Sequence, residues 1–137
     1  MGSFSDYTEN NVLDHLTGKT AFTMPTAYIA LSTTDPTDDA SGISEPDSTG
    51  GYARITTSGS DWDAASGGAT ANATVLSFPV STEAWSTDET DLAYFAVYDA
   101  LSGGNMLGHG SLTTPMAVDT DGITLSFAIG DLDWTLT

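Results

Sequence analysis

Short apolar runs with a period of two dominate the chain, separated by clusters of Gly, Pro, Asp and Ser. In a strand, successive side chains point to opposite faces, so this period marks a face turned towards a core. The runs are Ala27–Thr33, Tyr52–Thr57, Ala69–Phe78, Leu92–Tyr98, Met106–Leu112, Ile123–Ala128 and Leu132–Leu136. Tyr94, Ala96 and Tyr98 oppose Phe95 and Val97, and Ile123, Leu125 and Phe127 alternate with Thr124, Ser126 and Ala128. Each pattern predicts one buried face.

A different period holds near the start. A helix is predicted over about residues 4–17, with Val12, Leu13 and Leu16 on one face and Phe4 or Tyr7 near its beginning. Ser3 or Ser5 suits the N-cap, Asp6 and Glu9 suit the positive helix end, and Gly18 suits the stop. His15 and Lys19 stand near the negative end, where cations are favoured. No second helix falls between strands, which argues against a parallel α/β sheet. The expected fold is therefore all-β: one domain over residues 1–137, an antiparallel β-sandwich (jelly-roll or Ig-like) of about seven to eight strands with one N-terminal helix.

Two long connections interrupt this pattern. Residues 34–51 carry two prolines and five acids with no apolar period, which reads as a solvated loop, functional or mobile. Residues 58–68 place Trp62 between Asp61 and Asp63. That ring either anchors its loop on the core or meets a partner.

Composition adds the charge. Nineteen acids face two bases, Lys19 and Arg54, for a formal charge of −17, yet only 15% of residues are charged. Such one-sided charge repels itself in dilute buffer. At molar salt the Debye length falls to about 3 Å and the repulsion is screened, so the composition suits very salty water. Phosphate recognition needs clustered Lys or Arg, which argues against nucleic acid and against anionic membranes. No apolar run approaches the roughly 20 residues of a membrane span. Residues 1–6 lack the basic and apolar regions of a signal peptide, so folding is expected in the cytoplasm where the chain is made. With no cysteine, neither a disulfide nor a thiolate metal site is available.

The residues also carry a likeness. Tyr7-x-Glu9-Asn10-x-Val12-Leu13-Asp14-His15-Leu16 is followed by Gly18, and then by Tyr28-Ile29-Ala30-Leu31-Ser32-Thr33-x-Asp35-Pro36-Thr37-Asp38-Asp39. Further on stand Glu45-Pro46, Gly50-Gly51-Tyr52-Ala53-Arg54, Trp62, Asn72, Phe78-Pro79, Trp85, Phe95-Ala96-Val97-Tyr98-Asp99, Gly103-Gly104-Asn105 and Leu112-Thr113-Thr114-Pro115. In these features the chain resembles the small phage tail fibre family of virion proteins from tailed viruses. The resemblance implies a virion structural protein that packs on itself and on capsid or tail neighbours. It leaves open a capsid decoration or a tail component. The acidity departs from the family and points to a haloarchaeal host. Cyclic self-assembly as a trimer or pentamer is the matching expectation.

Chemistry is sparse. His15 and His109 are the two histidines, both read as structural, and no Gly-x-Ser-x-Gly elbow occurs. Acid pairs such as Asp61 with Asp63, Asp119 with Asp121 and Asp131 with Asp133 follow from the number of acids rather than from a glycosidase geometry. No enzyme activity and no cofactor are expected. Asp35, Asp38, Asp39, Glu45 and Asp47 are weak candidates for a cation such as Ca²⁺, Na⁺ or K⁺, although no Asp-x-Asp-x-Asp-Gly calcium loop is present. Arg54 is expected to pair with a carboxylate, Glu45 being one choice, and so to pin the long loop. Asn72-Ala73-Thr74 matches an N-glycosylation sequon. Contact candidates are Phe4, Tyr7, Leu13, Trp62 and Trp85. A second reading is a glycan-binding module for the host surface, with Trp62, Trp85, Tyr52 and Tyr98 as a stacking face.

Overall fold

A computed structural model describes residues 2–86 and 91–136. In order, its elements are β1 (Gly2–Phe4), α1 (Asp6–Leu16), β2 (Tyr28–Ser32), β3 (Ile55–Thr56), β4 (Ala69–Ala71), β5 (Leu76–Ser77), β6 (Leu92–Tyr98), β7 (Met106–Met116), β8 (Ser126–Phe127) and β9 (Asp133–Thr135). Seven strands form one sheet in the order β3-β2-β6-β7-β1-β9-β4, and β5 pairs with β8 separately. The large sheet is mixed, because β1 runs parallel to β9 while the other pairings are antiparallel, and it curls into a half-barrel. The fold is thus mostly β with one helix, and the large sheet is mixed where an all-antiparallel sandwich was expected. The sequence pattern specified strands and left their partners open.

The first residues show why. The helical pattern extends to Phe4, yet Gly2–Phe4 pair with Gly108–Gly110 as a strand. A Cβ at position 108 would sit 2.5 Å from the Ser3 carbonyl oxygen and 2.9 Å from the Trp134 ring, so only glycine admits this approach. Ser5 then caps α1, accepting the Thr8 amide at 3.3 Å and donating its hydroxyl to the Met106 carbonyl. Gly18, at φ 75°, turns the chain out of the helix.

The main core lies on one face of the sheet. Ile29, Leu31, Phe95, Val97 and Leu107 meet Leu76, Phe78, Trp85, Val118, Phe127 and Leu132 there. Tyr52, Phe78, Trp85 and Phe127 lock together, with ring centroids 5.4–6.3 Å apart. Burying each such side chain contributes about 1.5–3 kcal/mol. Asn72, fully buried, ties the C-terminal segment to this core. Its Nδ2 donates to the Thr74 and Ala128 carbonyls, and its Oδ1 accepts the Leu132 amide. No part of that amide is left for a sugar, so the sequon is a structural asparagine.

The reverse face is buried too, contrary to the one-face expectation for β6. Ala30, Ala96, Tyr98 and Met106 form a second cluster, covered by Ala40 and Ile43 of the acidic loop. Small residues on β2 and β6 let that loop lie close to the sheet.

Candidate functional site

The acidic loop and the side chains that hold it form the most developed polar constellation among the described residues. At its base, buried Ser32 donates to the Thr34 carbonyl at 2.7 Å and accepts the Ser44 amide at 2.9 Å. The Thr33 amide reaches the Ser44 carbonyl at 3.1 Å. Residues 34–43 are therefore a closed loop on a narrow neck. Inside it, Pro36 is buried, and Thr37 and Ala40 adopt left-handed conformations at φ 63° and 62°, a strain that persists only where the surroundings over-determine it. Those surroundings include Gly42, whose amide bonds the Pro36 carbonyl at 3.0 Å and whose Cα faces the Asp35 carbonyl too closely to carry a Cβ.

The loop's carboxylates are engaged one by one. Asp35 accepts the Thr37 amide at 3.0 Å. Asp39 accepts the Thr37 hydroxyl at 2.7 Å and the Ser41 amide at 3.0 Å. Hydrogen bonds from Ser41 first, then from Thr37, hold the Asp39 carboxyl at about 2. Asp47 caps the turn Ser48–Gly50 through the Thr49 amide at 2.8 Å, which lowers its carboxyl below the usual range.

Two basic side chains grip this loop, His109 from β7 and Arg54 from the residue just before β3. His109 on β7 points to its reverse face, with Nε2 2.9 Å from Asp38 Oδ1 and Nδ1 3.7 Å from Asp35 Oδ1. Arg54, 8% exposed, pairs with both oxygens of Glu45: Nε donates to Oε2 at 3.1 Å and Nη2 to Oε1. Its Nη1 donates to the Ala100 and Gly103 carbonyls, each at 2.8 Å, and its guanidinium lies 3.7 Å from the Tyr98 ring centre. Burial opposes the guanidinium's charge, but the hydrogen bond and charge of Glu45 outweigh it and hold the group above its ordinary value. Tyr52 completes the clasp. Its hydroxyl donates to Glu45 Oε2 at 2.8 Å and accepts the Leu31 amide at 3.0 Å. Burial, then the Glu45 charge, raise this phenol far above its ordinary value, so it remains a donor.

Of the cation candidates, then, Asp35 and Asp38 meet His109, Glu45 meets Arg54, and Asp39 and Asp47 bond their own turns. Among the described residues no three His, Asp or Glu side chains gather as a metal cage. The contact candidates separate by burial. Trp85 is 7% exposed and donates its indole N–H to the Gly50 carbonyl at 2.7 Å, so it fastens the loop's end rather than facing a partner. Tyr52 is buried beside it and Tyr98 is buried on the reverse face of the sheet, so the four aromatics do not share one exposed stacking face. Phe4 packs edge-on against Trp134 at 6.0 Å, Tyr7 is 36% exposed and Leu13 is 59% exposed. Trp62 is half-buried, 6.2 Å from Trp134.

Sequence reasoning missed His109 as a holder of the loop. The available signal was scarcity: in a chain with so few bases, a strand histidine can satisfy carboxylates that little else can reach.

The loop is thus braced by hydrogen bonds within itself and by Arg54 and His109. The family described as podophage GP4 fiber I protein gp80 matches the chain over residues 3–135. The chain belongs to that family, and so to the fibre proteins of phage particles. No match is found among curated proteins. No helix among the described residues is long and apolar enough to cross a membrane.

Proposed function

We propose that the chain is a non-enzymatic exterior component of a tailed virus of a halophilic archaeal host, made in the host cytoplasm and assembled as a cyclic homo-oligomer (a trimer or pentamer) on the capsid or tail. The observation that carries this reading is the acidic loop clamped over the sheet by Arg54 and His109. It supports a rigid face that keeps carboxylates such as Asp38, 64% exposed at its side chain, turned towards brine without loosening. Membership of a fibre family supports contacts with other virion proteins. Nothing in the geometry favours a sugar site over this reading.

Cryo-electron microscopy of the particle tests position and symmetry together. Copies ringed on the outer surface are expected; copies confined to the particle interior would overturn the reading. The salt claim has a separate check. A melting temperature that rises between about 0.1 M and about 1 M salt is expected from screening, and a flat one sinks the halophilic part alone.

A further inference from the structure

On the main-core side of the sheet, between α1, the strap of residues 19–27 and the end of β9, an open cleft of about 230 Å³ is walled by Thr8, Phe22, Pro25, Trp62, Leu107 and Trp134. Its lining contains no charged residue. Four other surface clefts each include at least one carboxylate: Asp35, Glu45, Asp38 with Asp39, and Asp131. Around the apolar one the chain leaves large apolar side chains in water. Met24, next to Pro25 of the wall, is 91% exposed, and Leu16 at the end of α1 is 75% exposed.

We propose that this face joins copies of the chain, with Met24 of one copy seated in the Trp62–Trp134 cleft of the next. The inference rests on the self-assembly reading above and names its surface. Charge selects the occupant. Each copy carries −17, so two copies meet at lowest cost where neither presents a carboxylate. A basic partner gains nothing from a cleft without acids and would be drawn to the carboxylate-bearing faces instead. Size agrees, because about 230 Å³ accepts one long apolar side chain, and methionine adapts to an irregular gap beside aromatic rings. Position agrees as well: Met24 directly precedes Pro25 of the wall, so every copy carries both a knob and a hole, and head-to-tail contacts of knob with hole can close into a ring.

The test is sedimentation of the purified full chain in molar salt, with circular dichroism to verify folding. Met24→Asp and Leu16→Asp alter exposed side chains and leave the fold intact. Each should weaken self-association by about tenfold or more, since a carboxylate would enter an apolar contact. Ile129→Asp, at a site 64% exposed elsewhere, should leave association unchanged. Wild-type assembly that survives both Met24→Asp and Leu16→Asp overturns this surface and leaves the self-assembly reading standing. A wild type that stays monomeric overturns both, and assigns the cleft to a different virion protein.

Discussion

The acidic loop and the N-terminal helix exchange the roles that their sequences suggest. Residues 34–51 have no period, two prolines and five acids, yet they close on a neck, bury Pro36 and cover the reverse face of the sheet. Residues 6–16 have caps, charges at the appropriate ends and a helical period, yet Thr8 is their one fully buried residue, and Leu13 and Leu16 stand in water. Local regularity and attachment to the core are separate properties. The helix is regular because its own backbone is satisfied. The loop is ordered because other elements satisfy it, above all through Arg54 and Ser32.

The largest way to break this contrast is Arg54→Ala. It leaves Glu45 with the Tyr52 hydroxyl alone and strands the Ala100 and Gly103 carbonyls. A loss of about 3 kcal/mol is expected by chemical denaturation in molar salt, with new protease cuts within 34–51. Arg54→Lys should produce the same cuts at a smaller loss, because an ammonium cannot hold both oxygens of Glu45 and two carbonyls at once. A protease pattern identical to wild type would show that the loop is held without the clasp.

Next comes Ser5→Ala, which removes the helix cap and the bond to the Met106 carbonyl. About 1–2 kcal/mol should be lost, with faster amide exchange in the first turn of α1 and unchanged exchange in the loop. Equal loosening of both segments would mean that they are coupled.

Acid probes the loop alone. The Asp39 carboxyl lies at about 2 in the folded chain against an ordinary 3.8. A depressed carboxyl supports the folded loop above its unfolded value and loses that support as pH falls through its folded one. Protease sensitivity at 36–42 should therefore rise between about pH 4 and pH 2, and Asp39→Asn should flatten that dependence. The smallest effect is predicted for Leu13→Ala. At a site 59% exposed, it should shift the stability of the isolated chain by no more than about 0.5 kcal/mol.

Much of the fold was legible because strand alternation and capping are local. β2, β6 and β9 lie within the predicted runs, and the helix keeps its predicted end. The run Ala69–Phe78 is split into β4 and β5, because Asn72 turns inward to bond the C-terminal segment. Pairing was not legible. Nothing near Gly2–Phe4 indicates that β7 will offer its edge beside a glycine. In the candidate site, Arg54 was readable as a carboxylate partner from its rarity, whereas the bonds of Nη1 to residues 100 and 103 join segments far apart in sequence.

By itself, the sequence determined the mostly β character, the helix and its cap, the acidic surface and the family, since these depend on residue type and short spacing. Tertiary structure alone decided that the strands make one curled mixed sheet, that both of its faces are covered, and that an acidic loop becomes part of the body. The reason is physical. Alternation marks which face of a strand is apolar, but which element covers that face depends on where distant groups find hydrogen-bond partners and on where a missing Cβ lets two backbones meet.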